Sequence, residues 1–121
     1  MNIYVSHLRR GNYEEELYKP LLASQLAQKH TLIFPHNASQ KPFDTRELLE
    51  HKKCDVVLAE ISYPATGQGI ELGWASQLEI PIYCMYKKGM DVSGSALMIA
   101  AKKIEYVDTY SLICQLEELF V

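Results

Sequence analysis

The chain has 121 residues, a formal net charge of −3, 48% hydrophobic and 22% charged residues; this suits one domain over residues 1–121 and is too short for two with separate cores. A mildly acidic balance argues against nucleic acid as a partner, because such faces carry a basic stripe. No apolar run approaches the roughly 20 residues needed to cross a bilayer, and a start at Met1-Asn2-Ile3-Tyr4-Val5, without a basic segment ahead of an apolar one, points to a cytoplasmic protein without a membrane partner.

Ile3-Tyr4-Val5 reads as a first strand. A helix is expected over residues 12–29, with Leu17, Leu21, Leu22 and Leu26 at helical spacing. Glu14, Glu15 and Glu16 suit its first turn, and Pro20 predicts a kink or a late start. Residues 31–34 form a second strand closed by Pro35. A short polar helix follows over residues 44–53, with Asp44 as N-cap and Glu47 at the capping-box position. Residues 55–60, Asp-Val-Val-Leu-Ala-Glu, run apolar without alternation, as a central parallel strand does. Then come a loop over 62–69, a helix over 70–78, a strand over 81–86, a loop over 87–93, a helix over 94–101 and a strand over 104–107. Asp108 or Thr109 caps a last amphipathic helix with Leu112, Leu116, Leu119 and Phe120 on its apolar face.

Strands alternating with helices predict a three-layer α/β sandwich around a five-stranded parallel sheet, in the flavodoxin-like order 2-1-3-4-5. Ligands of such folds bind outside the carboxyl ends of the strands. The site should therefore be built from residues 6–11, the loop after Phe34, residues 60–71 and the loop after Tyr86. Cys54, Cys84 and Cys114 lie 30 residues apart with no CxxC pair and read as buried free thiols. His51 and Cys54 lack two further ligands nearby, so neither a metal nor a cofactor is expected.

Gly67-Gln68-Gly69-Ile70-Glu71-Leu72-Gly73 joins the central strand to a helix. Its spacing is neither the dinucleotide fingerprint nor a Walker loop. Gly67 and Gly69 would let a ligand approach the backbone, and Glu71 would sit in the first helical turn, kept ionised by the helix dipole. Such an anion suits a nucleophile, although a first-turn glutamate can equally be a helix stabiliser. Tyr4 fits core packing as well as a site; Arg9 and Arg10 fit an anion subsite or solvated surface; His36 fits a ligand contact or an idle loop. Ser93-Gly94-Ser95 fits phosphate binding or N-capping, and Trp74 reads as packing.

On these residues the chain resembles the nucleoside 2-deoxyribosyltransferase-like superfamily, nearest its 2'-deoxynucleoside 5'-phosphate N-hydrolases. The likeness is carried by residues 55–60 through the GxGxELG segment at 67–73 and on into Pro81-Ile82-Tyr83-Cys84, with further matches at Ile3-Tyr4-Val5, Arg10-Gly11 and Ser95-Ala96 with Met98. The resemblance implies an N-glycosyl hydrolase or pentosyltransferase acting on a nucleoside or nucleotide. It places Glu71 as nucleophile on the anomeric carbon and Tyr4 as a substrate contact. His7, Leu8, Arg9, Arg10 and Gly11 would wrap the nucleotide, with His36 near the base. Ser95 would reach a partner subunit's 5'-phosphate across a homodimer. Counting back from the central strand puts Glu47, or Asp44 one turn away, at the acid that assists departure of the base. Ala65 stands where the superfamily carries an acid or a phosphate-binding serine, and the loop before the Glu71 helix is short, which would leave the site open to water and favour hydrolysis. The departures keep a non-catalytic nucleotide-binding module in play. A phospho-receiver is disfavoured, because Asp55 opens its strand and the first strand is followed by Ser6-His7-Leu8-Arg9. A flavin carrier is disfavoured because no Ser/Thr-rich phosphate loop follows that strand.

Overall fold

The computed structural model describes residues 1–36 and 44–121; of the expected site, the part of the loop after Phe34 at residues 37–43 lies outside them. Strands β1 (Asn2–Ser6), β2 (Thr31–Ile33), β3 (Val56–Glu60), β4 (Ile82–Lys87) and β5 (Lys102–Tyr106) form one sheet in the order β2-β1-β3-β4-β5. Every neighbouring pair is parallel. The helices are α1 (Lys19–Leu22), α2 (Gln25–Lys29), α3 (Thr45–Glu50), α4 (Thr66–Gln77), α5 (Gly94–Ile99) and α6 (Thr109–Leu119). The three-layer sandwich and its strand order are those expected from the alternation of elements.

The sheet is buried on both faces because its central strands are apolar on both. Ile3 and Val5 of β1 join Val56, Leu58 and Met85 beneath Leu21, Leu26, Leu112 and Leu116, so α1, α2 and α6 cover that side. Tyr4 joins Val57, Ala59 and Ile82 beneath Leu49, Leu72 and Ala75, with Ala96 and Leu97 packed alongside, so α3, α4 and α5 cover the other. The two-residue period of β1 thus assigns alternate side chains to different cores. Register is pinned at the amino end, where the Asn2 amide donates to Asp55 Oδ2 at 2.6 Å and its Nδ2 to the Lys53 carbonyl at 3.2 Å. Asp108 caps α6 in a capping box with Ser111.

Local structure departs from expectation in three helical segments and in the burial of two side chains. Residues 12–29 are not one helix: a π-helical turn at Glu14–Tyr18 leads into α1, and α2 starts separately. Pro20 needs no helical N–H at the start of α1. The break falls later, where Ser24 turns extended and its Oγ donates to the Leu21 carbonyl at 2.6 Å. Helix α4 begins at Thr66, four residues before the expected Ile70, because Gly67 and Gly69 are taken into its first turn. Helix α5 stops at Ile99, since Ala100 is extended and the Ala101 amide already donates to the Ile82 carbonyl, bringing β5 in at Lys102. Cys54 and Cys84 are buried, and burial pushes both thiols up to about 11. Cys114, expected to be buried, is exposed, because the buried stripe of α6 runs through Leu112, Leu116 and Phe120. Trp74, expected to pack, is 37% exposed. Among the described residues no helix is long and apolar enough to cross a membrane.

Leu116 is fully buried, so Leu116→Ala is expected to lower unfolding free energy by about 2–5 kcal/mol. Cys114→Ser on the exposed side of the same helix should change it by less than about 0.5 kcal/mol. Urea denaturation of the two variants checks this pair.

Candidate active site

The pleat of β1 carries Tyr4 and Ser6 to the same side of the sheet, toward α3 and α4. Its parallel register against β3, Tyr4 opposite Val57 and Ser6 opposite Ala59, sets both near the carboxyl edge. Glu71 of α4 meets them there. Ser6 Oγ donates to Glu71 Oε2 at 3.2 Å and the Tyr4 hydroxyl donates to the same oxygen at 3.3 Å. Thr45, the first residue of α3, donates from Oγ1 to Glu71 Oε1 at 3.2 Å and lies 2.9 Å from the Tyr4 hydroxyl. A single carboxylate is therefore held by three hydroxyls drawn from two elements.

The electrostatics of Glu71 differ from those expected. Because α4 starts early, Glu71 lies beyond the first turn, where the dipole has faded. Burial pushes its pKa above the ordinary carboxylate value, and the bonds from Ser6, Thr45 and Tyr4 recover only part of that shift. The Tyr4 phenol is driven up by its own burial and by the Glu71 charge, so it stays a neutral donor.

The loop after β1 forms the adjacent wall. His7 is buried; its Nδ1 donates to the Leu8 carbonyl at 2.7 Å, which leaves Nε2 to accept from the Tyr18 hydroxyl at 2.6 Å. The backbone N–H of His36 donates to that same hydroxyl at 3.1 Å, and the His7 ring lies 4.6 Å from Tyr13 and 5.2 Å from His36. Burial lowers the pKa of both histidines, with Arg9 adding to the effect at His36. Gly11 turns the chain at φ +96°, a conformation other residues avoid.

His7, Leu8, Arg10 and Gly11 line a cavity of about 670 Å³ with Glu60, Lys87 and Tyr106 at the strand ends. Glu71 is not on its wall; Ser6 and His7, consecutive in the chain, separate the two. Arg9 is exposed and also off this wall.

The other expected residues are placed as follows. Gly67 and Gly69 are exposed in the first turn of α4, where an added Cβ would meet nothing within 4 Å. Ala65 is the N-cap of α4 and offers no side-chain acceptor; Gln68 Nε2 anchors that turn to the Glu60 carbonyl at 2.8 Å. Ser93 caps α5 while Ser95 is exposed beside it. Asp44 and Glu47 are not brought to Glu71. Asp44 caps α3, accepting from the Glu47 amide at 2.9 Å, and the exposed Glu47 carboxylate lies 3.7 Å from Lys53. Residues four apart share a helix face, and here the inward face is Thr45 and Leu49, both buried.

Sequence reasoning missed Thr45 and Tyr18, and included Ser6 only as the start of the 6–11 loop, without its contact to Glu71. Ser6 was readable as the same-face neighbour of Tyr4 in a strand, and Thr45 as the position four before the apolar Leu49. Tyr18 carried no such signal, because its reach to His7 depends on the π-helical turn.

No family model matches the chain. It is 29% identical over 116 residues to a protein of Syntrophotalea carbinolica that bears the provisional name 2'-deoxynucleoside 5'-phosphate N-hydrolase 1, with 86% of this chain and 81% of that one aligned. A CMP N-glycosidase of Clostridium botulinum, 15% identical, has a TM-score of 0.64 over 97% of this chain and 99% of its own. A 2-deoxyribosyltransferase from Bacillus psychrosaccharolyticus, 23% identical, has a TM-score of 0.56 over 93% and 90%. The fold is shared with both of these enzymes. The resemblance carried by residues 55–73 thus has a counterpart in overall sequence similarity and in architecture, and within this shared scaffold Glu71 stands on the helix that follows the central strand.

A carboxyl whose folded pKa is raised favours the fold most when protonated. Ionised Glu71 should thus destabilise the protein progressively as pH rises from its unfolded value through its raised folded value, and by a constant amount above that. Glu71→Gln is expected to remove this pH-dependent loss, so the gap between the urea midpoints of variant and parent should widen in the variant's favour with rising pH. A gap independent of pH would refute the raised value.

Proposed function

We propose that the chain is an N-glycosidase that cleaves the base–sugar bond of (deoxy)nucleoside 5'-monophosphates, with Glu71 as the carboxylate that meets the anomeric carbon. The observation that carries this reading is the half-buried carboxylate fixed by Tyr4, Ser6 and Thr45 at the carboxyl edge of the sheet. The names of the similar proteins, an N-hydrolase of deoxynucleoside 5'-phosphates, a CMP N-glycosidase and a deoxyribosyltransferase, support the same bond as the target.

Breaking a glycosidic C–N bond builds positive charge on the anomeric carbon and ring oxygen. An ionised carboxylate held close by stabilises that charge, whether or not it goes on to form a covalent bond. Preorganisation matters here, since the three hydroxyls hold the oxygens before substrate arrives. The first-turn N–H groups of α4, whose N-cap Ala65 offers no side-chain acceptor, supply positive partners for a 5'-phosphate, and Arg10 lines the neighbouring cavity. Water then completes hydrolysis at the anomeric carbon.

The site is read as complete only in a homodimer. Helices α4 and α5 leave Ile70, Trp74, Met98 and Ile99 exposed, and a second copy packed there would bring Ser95 to its neighbour's phosphate. Trp74→Glu with Met98→Glu is expected to halve the mass measured by sedimentation equilibrium. An unchanged mass would place any interface elsewhere.

Chromatography of deoxy and ribo nucleosides and 5'-monophosphates, incubated with and without a second free base, tests the activity. Free base from monophosphates is expected, with Glu71→Ala slowing release by at least about 100-fold while far-UV circular dichroism stays unchanged. Normal turnover by that variant would overturn the role of Glu71. A new nucleoside in the base-supplemented samples would make the protein a transferase.

A further inference from the structure

Cleavage by a pair of carboxylates uses one to stabilise the sugar cation and the other to protonate the leaving group. Among the described residues, the side chains that meet Glu71 are neutral hydroxyls: Tyr4 and Ser6 from β1 and Thr45 from α3. The acids nearest in sequence on α3, Asp44 and Glu47, are exposed and engaged elsewhere. Residues 37–43, Asn-Ala-Ser-Gln-Lys-Pro-Phe, contain no aspartate, glutamate or histidine, so they add no carboxylate whatever their course.

We infer that Thr45 is a positioning residue standing in the place of a second carboxylate, so that Glu71 titrates alone and the base departs without a proton from the enzyme. This rests on the N-glycosidase reading above. Ser6 and Tyr4 both meet Oε2, whereas Thr45 is the hydroxyl that meets Oε1, so Thr45 sets the rotation of the carboxylate plane. A hydroxyl both donates and accepts. Toward ionised Glu71, Thr45 donates to Oε1 while Tyr4 gives its one proton to Oε2; toward protonated Glu71, Oε1–H donates to Thr45, whose own proton turns to Tyr4. Valine supports neither arrangement and serine supports both.

The reaction then balances with water alone. The bond between the anomeric carbon and the base nitrogen breaks, its electron pair goes to the base, and the base takes a proton from water. The oxygen of water bonds to the anomeric carbon. Among the described residues, the other titratable groups around the site are Tyr4 from β1 and Tyr18 from the π-helical turn, both pushed upward by burial, with Tyr13 and Glu14 adding to the effect at Tyr18 and with Glu16 and Glu60 on the wall of the neighbouring cavity. Beyond Tyr18 stand His7 and His36, both lowered, with Arg9 beside His36. None is an acid that holds a proton through neutral pH and also meets Glu71, apart from the phenol of Tyr4, whose raised pKa makes it a poor proton donor.

The test pairs a 13C NMR titration of the Glu71 carboxyl with the pH dependence of kcat/KM on the nucleotide turned over, in full-length wild type, Thr45→Val, Thr45→Ser and Thr45→Asp. Wild-type kcat/KM should rise with pH through a single ionisation matching the Glu71 midpoint and then stay flat. Thr45→Val should move both midpoints upward and lower kcat/KM by about tenfold, the equivalent of one hydrogen bond to a charged group. Thr45→Ser should restore both. Thr45→Asp should add a second ionisation to the NMR titration. A bell-shaped wild-type profile, or a Glu71 midpoint unmoved in Thr45→Val, would overturn the inference. If no nucleotide is turned over, the N-glycosidase reading fails, and the NMR midpoints still decide whether Thr45 positions Glu71.

Discussion

The two-residue period of β1 is the constraint on which the rest depends. Lying between β2 and β3, this strand has Ile3, Tyr4, Val5 and Ser6 all inaccessible to solvent. Ile3 and Val5 are committed to the core under α1, α2 and α6, which leaves Tyr4 and Ser6 to face α3 and α4. A slip of one residue against β3 would exchange the two sets, putting hydroxyls in an aliphatic core and aliphatic groups against Glu71. Hydrophobic burial on one side of the sheet thus fixes the polar site on the other.

Glu71 is the position at which the fold accepts a cost. Removing a carboxylate from water disfavours its charge, and three hydroxyls offset that only in part. The described residues contain no buried side-chain polar atom without a partner, so the strain is electrostatic and does not come from missing hydrogen bonds. Such local sacrifice of stability is usual where a group is held ready for chemistry. The loop after β1 is organised on the same principle. His7 is locked by a carbonyl on one side and the Tyr18 hydroxyl on the other, and its burial disfavours the charged imidazole on the wall of the neighbouring cavity even though the Leu8 carbonyl works the other way.

Legibility in the sequence followed the strength of the hydrophobic signal. The apolar run at residues 56–59 marked β3 as a central strand, and Leu112 and Leu116 with a capping aspartate marked α6; both stand as read. Glycines misled at α4, because a helix anchored by Gln68 on the Glu60 carbonyl tolerates Gly67 and Gly69 in its first turn. That four-residue error moved Glu71 away from the helix end and inverted the cause expected to govern its charge. On α3 the side chains with visible charge, Asp44 and Glu47, turned out to face solvent, while the plain Thr45 between them faced the site.

From the sequence alone came the α/β class and the edge of the sheet at which ligands belong, since both follow from an alternation of elements that local periodicity sets, while the family resemblance of residues 55–73 singled out Glu71 as the residue to examine. Only the tertiary structure decided which hydroxyls hold Glu71, that burial outweighs the dipole in setting its charge, and that no second acid reaches it among the described residues. Those facts depend on distances between residues 41 and 67 positions apart, and such distances exist only once the sheet has brought β1, α3 and α4 together.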